Sequence, residues 1–416
     1  MTKNDLALYG GKPEVDPDDP ITYLMPRHIN EKAFAYVDEV LRSGFTSDYT
    51  TRFEAAFARM HDAKYALGVA NCSSAVHVAL ATLGIGAGDH VLTTPISDFG
   101  TYLGIFAQNA LPVFADIDPD TGNVTAETLQ KAITPYTKAI IAVHWHGGIC
   151  DMEPIVSLSE RTGIPVIEDC CQCPLGVYKG RKVGNFGAIG CFSMDAEKHL
   201  STEHGGVLLT NNEEIYEKAH KYAILRGAYV EPGYGRKYDM FGINYRLGQI
   251  ESAIGLAQLE TLPALNENRK KTCRMITDEI TKLPGVQGIK VPKGSECLYW
   301  IFPIIFDMDR FACDVKTLGE ALEAEGIRGV SHIPYYLIVD GFEPMLKKWG
   351  LYGDTGCVFE CPYQKMDMDY ANLDLPGARK YTSRTVRWVI SDQYTDEDVD
   401  KIVRCVKKVV RYFSKG

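Results

Sequence analysis

The chain has 416 residues, 45% hydrophobic and 24% charged, an ordinary globular composition that excludes a disordered, collagenous or low-complexity protein. Its 44 lysines and arginines against 54 aspartates and glutamates give a formal net charge of −10, which argues against a nucleic-acid or anionic-membrane binder but leaves room for a local basic pocket. The twelve cysteines are scattered, the opening MTKNDLALYGG has no apolar secretory core, and no apolar run approaches the roughly 20 residues that cross a bilayer. A cytoplasmic protein with reduced thiols is therefore expected.

Asn30 can cap a helix whose Ala33, Phe34, Val37, Val40 and Leu41 fall on one face, with Gly44 beyond its end. From Tyr65 short apolar runs alternate with helical segments: YALGV at 65–69, HVLTT at 90–94, PVFAD at 112–116, KAIIAVH at 138–144 and PVIED at 165–169. Continuous apolar runs spaced by helical patterns predict βαβ units around a mostly parallel sheet. The glycine-rich run at 84–88 precedes a strand instead of following one, so it reads as a turn and not as a dinucleotide fingerprint. Further strands are expected at 188–193 and 205–210, then a helix burying Ile250, Ala253, Ile254, Ala257 and Gln258. A charged helix at 265–282, the strand LYWIFPIIF at 298–306, a helix at 315–325 and an amphipathic helix at 396–413 follow. The reading is an α/β protein with a large domain over 1–255 and a smaller α+β domain over 256–416, without internal repeats or a disordered linker.

Ligands of parallel sheets bind beyond the carboxyl ends of the strands, and four segments lie there. GVANCSSAVHVAL puts the hydroxyls of Ser73 and Ser74 and free backbone amides at a helix start, where they either hold a phosphate or cap the helix. VIEDCCQCPLG ends an apolar strand on Glu168 and Asp169. A buried carboxylate needs a partner, which is a structural salt bridge or, for Asp169, a protonated heterocycle. The Cys170, Cys171 and Cys173 cluster contains a C-x-x-C with no second pair, so a structural role is preferred to zinc or redox chemistry. In CFSMDAEKHLSTEHGG, Lys198 follows Asp169 by 198 − 169 = 29 residues, on the next strand-end loop. A lysine amine that forms an imine and an acid that keeps a pyridine nitrogen protonated are what a carbonyl cofactor requires. FGINYRLGQIESAIGLAQL opens a helix behind Asn244 and Arg246, which taken alone are a cap and a surface charge.

In this order the segments resemble the DegT/DnrJ/EryC1/StrS family of sugar aminotransferases, pyridoxal 5′-phosphate enzymes of fold type I, from SGFTSDYTTRFEAAFA at 43 through the terminal helix. The resemblance implies that Lys198 in FSMDAEK bonds the cofactor and later shuttles the proton, and that Asp169 in IEDCCQ pairs with the pyridine nitrogen. It implies that Gln172 contacts the ring or its phenolic oxygen, that Phe99 in TTPISDFGT stacks on the ring, and that Ser73 with the backbone at Cys72 forms the phosphate turn. Ser193 matches a second phosphate contact, and Asn244 an asparagine donated by the neighbouring subunit, so a homodimer with shared sites is implied. No metal is implied.

Three positions depart from the family pattern: Cys72-Ser73 stands for Gly-Thr, Glu203-His204 for Gly-Glu, and Asp98 for Thr before the aromatic. All three touch the substrate or phosphate side. The implied reaction is ping-pong transfer of an amino group from glutamate or glutamine to a keto sugar, nucleotide-linked, or to a keto cyclitol. A dehydratase branch of the family has histidine at the lysine position, which Lys198 argues against, and a regulatory relative would need a basic recognition helix that is not visible. His144, His146, Tyr229, Tyr234 and His332 are polar or aromatic residues that fit an acceptor pocket or the fold equally well.

Overall fold

A computed structural model describes residues 5–332 and 336–415. The first five strands, β1 (Tyr65–Val69), β2 (His90–Thr93), β3 (Leu111–Phe114), β4 (Thr137–Val143) and β5 (Val166–Asp169), begin or end within one residue of the apolar runs that announced them. A small hairpin, β6 (Val177–Tyr178) with β7 (Arg181–Lys182), precedes β8 (Ile189–Ser193) and β9 (Gly206–Thr210). Seven of these form one sheet in the order β1-β9-β8-β5-β4-β2-β3. Only β9 runs against the others, pairing antiparallel with both β1 and β8. Helices cover both faces, which is why strands such as β2, β5 and β8 are buried at every position and read as unbroken apolar runs.

Because β1, β5 and β8 run the same way, their carboxyl ends open on one edge of the sheet, and that edge carries the residues after Val69, Asp169 and Ser193. The start of β9 passes close beneath the turn after β1. A Cβ on Gly206 would lie 2.4 Å from the Asn71 carbonyl carbon, so only glycine allows that approach. The run at 84–88 is a turn as expected, with Gly84 and Gly88 both at positive φ.

A second hairpin, β10 (Ala228–Glu231) with β11 (Gly235–Tyr238), stands on the surface. The remaining strands, β12 (Val286–Gly288), β13 (Ile301–Phe306), β14 (Ser331–His332) and β15 (Thr385–Val389), make an antiparallel sheet in the order β12-β13-β15-β14. Helices Leu262–Ile280, Val315–Ala324 and Asp396–Phe413 belong to its core, the last starting at a capping box of Thr395 and Asp398.

The two cores do not divide at residue 255. Leu6, Val15 and Ile21 pack with the second core, against partners such as Val406 and Phe302, while Tyr336 to Val339 and Tyr381 return to the first. Glu325 explains the first crossing: its buried carboxylate accepts the backbone N–H groups of Ala7 and Glu14, both at 2.8 Å, and binds Lys408 at 2.8 Å. Helix Glu31–Arg42 is capped by the Asn30 side chain, yet of its expected apolar face Phe34 (60%) and Leu41 (54%) remain exposed and only Ala33 and Val40 are buried. Val40 packs with Tyr49 and Ala253, so a single chain uses half of that stripe. Among the described residues no helix is long and apolar enough to cross a membrane.

Candidate active site

A cavity of about 270 Å³ opens on the strand-end edge of the large sheet. Cys72 and Ser73 line it from the turn after β1, and the cap of the following helix, Cys72–Thr82, is supplied by Asn71. The Asn71 side chain accepts both the N–H and the hydroxyl of Ser74, at 2.8 and 2.9 Å. This separates the two readings of the segment: Asn71 does the capping, and the Ser73 hydroxyl faces the cavity with no protein partner among the described residues. An unpartnered hydroxyl beside amides at a helix start is suited to an anion. Although the Cys171 thiol beside it pulls the other way, burial and the Asp169 carboxylate push the Cys72 thiol up to about 11, so it meets an anion as neutral SH.

Lys198 reaches the cavity from the loop after β8, together with Ser193 and Asp195. It is 8% exposed, and its Nζ lies 3.4 Å from the centre of the Trp300 ring. Asp169, 2% exposed, stands at the end of β5. Its Oδ2 accepts the Thr101 hydroxyl at 2.8 Å and its Oδ1 the Cys171 N–H at 3.1 Å, so the carboxylate is oriented from two sides while still lining the cavity. The neighbouring Glu168 points away and is spent on the fold. It accepts Phe186 N–H at 2.6 Å, Gly187 N–H at 2.8 Å, Gly184 N–H at 2.9 Å and lies 3.3 Å from His144 Nε2.

Gln172 is fully buried behind this wall and does not line the cavity. Its Oε1 accepts the His146 N–H at 2.5 Å, and its Nε2 has no partner among the described residues. His146 takes a left-handed φ of 57° and stacks on Trp145 at 4.4 Å. Burial, with Arg387 beside it, holds the His146 imidazole well below its usual range, so it is neutral at working pH.

Phe99 differs from its expected place. It adopts helical dihedrals at the start of helix Gly100–Ala107, and its ring packs on Phe342 at 4.2 Å, not on the cavity. The residues flanking it, Asp98 and Gly100, line the wall instead. The departure noted at Asp98 is thus at the cavity itself. His199 also stays out, its Nε2 donating to the Leu298 carbonyl at 3.0 Å.

Cys170, Cys173 and His144 bring potential ligand atoms within 4.8 Å of one another. The His144 Nδ1 accepts the Cys150 N–H at 3.2 Å, so the ring proton sits on Nε2, toward Glu168. Both nitrogens are engaged, and neither offers a lone pair to a cation.

Asn244 lies outside the cavity, exposed, with its Oδ1 accepting Arg246 Nε–H at 2.8 Å. The segment around it is tied to the first strand, since Ala70 N–H donates to the Tyr245 carbonyl at 2.8 Å. Tyr229 and Tyr234 are exposed on the β10–β11 hairpin. The residues missed by sequence reasoning include Thr101, which bonds Asp169, and Trp300 and Tyr336, which line the cavity from the C-terminal third of the chain. Trp300 was visible only as part of the apolar run at 298–306, within which nothing marks it as a cavity residue.

Comparisons with known proteins identify the family of the chain. Residues 27–341 match the model of the DegT/DnrJ/EryC1/StrS aminotransferase family. The spore coat polysaccharide biosynthesis protein SpsC of Bacillus subtilis is 29% identical, over 94% of this chain and 97% of its own. A GDP-perosamine synthase of Escherichia coli O157:H7 is 35% identical, over 65% of this chain and 74% of its own. Among solved structures, an aminotransferase from Psychrobacter cryohalolentis superposes with a TM-score of 0.82 at 25% identity, covering 93% of this chain and 98% of that one. The fold is that of the fold-type I aminotransferases. The chain belongs to the DegT/DnrJ/EryC1/StrS aminotransferase family and is a pyridoxal-phosphate-dependent aminotransferase.

Proposed function

We propose that this enzyme transfers an amino group from glutamate or glutamine to a keto group on a nucleotide-linked sugar, by a ping-pong reaction, with Lys198 and Asp169 as its catalytic residues. The observation that carries the reading is their convergence: residues from successive strand-end loops line one buried cavity, the amine from one side and the doubly anchored carboxylate from another. Pyridoxal phosphate, when bound, supplies a carbonyl that condenses with amines and an electron sink for the carbon that loses a proton.

The residues present fit that group. Gly100 keeps space open against Ser73, whose hydroxyl a Cβ there would approach to 2.8 Å. Gln172 Nε2 is a buried donor with nothing to bond. In the proposed roles Ser73, Ser193 and the Cys72 backbone bind the phosphate, Asp169 holds a proton on the pyridine nitrogen, and Gln172 acts from behind the wall, beyond the cavity lining. Lys198 Nζ bonds the cofactor and moves the substrate proton. No stacking role is proposed for Phe99, whose ring is engaged elsewhere.

A nucleotide-linked acceptor is favoured over a keto cyclitol by the GDP-linked product named for relatives at 35% and 34% identity. We further propose that the working unit is a cytoplasmic homodimer in which Asn244 of one copy reaches the other's site, a reading supported by the exposed Phe241 (99%), Val230, Phe34 and Leu41. The test is the visible absorption of the purified holoenzyme before and after glutamate, then glutamine, with Lys198→Ala as control. Loss of the lysine-dependent band with one donor supports the first half-reaction. A holoenzyme unchanged by either donor removes the donor assignment, and a panel of nucleotide-linked keto sugars against keto cyclitols decides the acceptor.

A further inference from the structure

Lys198 presents its amine to an aromatic face and to no acid. Its Nζ stands 3.4 Å from the centroid of Trp300, and among the described residues it makes no ion pair. Both side chains are nearly buried, at 8% and 6% exposure. A desolvated ammonium gains most from an aromatic face, since water no longer competes for the charge.

The ring is fixed from two directions. The Trp300 backbone N–H donates to the His146 carbonyl at 3.0 Å, and the indole N–H donates to the Glu197 carbonyl at 3.2 Å. Glu197 is the residue before Lys198, so the platform and the lysine's own loop are fastened together. Trp300 immediately precedes β13, in the part of the chain that builds the second sheet, while Lys198 follows β8 of the first. The contact therefore depends on how the two parts are packed.

We propose that Trp300 is a positioning residue that holds the freed ammonium of Lys198 beside the cofactor during the half of the cycle in which the lysine is not bonded to it. This rests on Lys198 being the attachment point. A transaminase must release its lysine each time the cofactor takes up the donor's amino group, and a released amine on a four-carbon stem needs a place to wait. Bonding to the cofactor carbonyl would replace its C=O bond by C=N, the oxygen leaving as water with two of the ammonium's protons, and would let the cofactor dictate the nitrogen's position, so the ring favours the released state. Trp300 thereby loosens the lysine's hold on pyridoxal phosphate and leaves affinity for pyridoxamine phosphate alone, because the lysine is free both before and after pyridoxamine phosphate binds.

The experiment compares dissociation constants of pyridoxal phosphate and pyridoxamine phosphate for the apoenzyme and for Trp300→Leu and Trp300→Phe. Removing the ring should tighten pyridoxal phosphate relative to pyridoxamine phosphate by about tenfold, and phenylalanine by about threefold, the range of a desolvated cation–π contact. A ratio equal to wild type overturns the proposal. So does a parallel loss of both ligands, which marks a role in the fold alone. If the leucine variant does not fold, the phenylalanine variant carries the same two outcomes. Retention of the lysine-dependent visible band by Lys198→Ala would instead sink the attachment reading, whatever Trp300 does.

Discussion

The inner wall of the cavity and an exposed rim of the molecule, outside the cavity, are built on opposite terms. On the wall, Asp169 is anchored by Thr101 and Cys171, and behind it Glu168 is held by three backbone amides and His144, all within one chain. On the rim, the β10–β11 hairpin and the loop to Asn244 leave Val230 (79%), Tyr234 (71%) and Phe241 (99%) in solvent. A wall with its carboxylates partnered is finished, whereas exposed aromatic residues gathered on one rim mark a surface with something still to cover it. The lesson is that one chain partners the two neighbouring acids internally, whereas the hairpin leaves its apolar side chains in solvent.

The largest effect should come from the wall. Lys198→Ala is expected to abolish transamination, by at least about 10³-fold, while leaving a folded protein, because the amine makes no structural ion pair. Turnover above that limit in a single-turnover assay would move the chemistry off the wall. Asp169→Asn should lower kcat by about 10²- to 10⁴-fold, the scale of a lost proton-holding group, with pyridoxal phosphate still bound. Near-normal kcat would break the assignment of the acid.

Glu168 sharpens the contrast between two neighbouring acids. Glu168→Ala leaves three N–H groups without their acceptor, that of Gly184 buried and those of Phe186 and Gly187 part-buried, at about 1–3 kcal/mol for a fully buried one and less for the others. A loss of about 3–5 kcal/mol of stability is expected in thermal or denaturant unfolding, with the folded fraction still binding cofactor. An unchanged midpoint would mean that the wall does not depend on this acid.

The sequence carried most of the wall and little of the rim, for physical reasons. Parallel strands covered on both faces must be apolar along their length, so β1 to β5, β8 and β9 stood out, and the polar residues just after them were exposed to inspection as Ser73, Asp169, Ser193 and Lys198. Which of adjacent residues faces inward at a helix start is set by dihedrals, not residue type, so the pattern does not show that Asp98 and Gly100 line the cavity while the Phe99 ring packs on Phe342. Trp300 and Tyr336 arrive by long-range packing, which no local pattern encodes. The amino-terminal segment shows the same limit. Leu6, Val15 and Ile21 join the second core through Glu325, more than 300 residues away in sequence. The helix at Glu31–Arg42 has the expected Asn30 cap, but periodicity marks an apolar stripe without saying whether the same chain covers it.

The smallest effect on the isolated chain should come from the rim, where the comparison is most exposed to test. Phe241 is almost wholly in solvent, so Phe241→Ser removes no internal packing and should change unfolding stability by no more than about 0.5 kcal/mol. If a second copy covers this rim, each chain loses the burial of one phenylalanine, about 1.5–3 kcal/mol. Sedimentation should then show the dimer dissociating at protein concentrations at least about tenfold higher than wild type. In the proposed dimer Asn244→Ala removes a contact to the other copy's site without the apolar area, so it should leave association nearly intact and weaken pyridoxal phosphate retention. A Phe241→Ser protein that associates like wild type would separate the rim from the subunit interface, and Asn244 would then have no route to a second site.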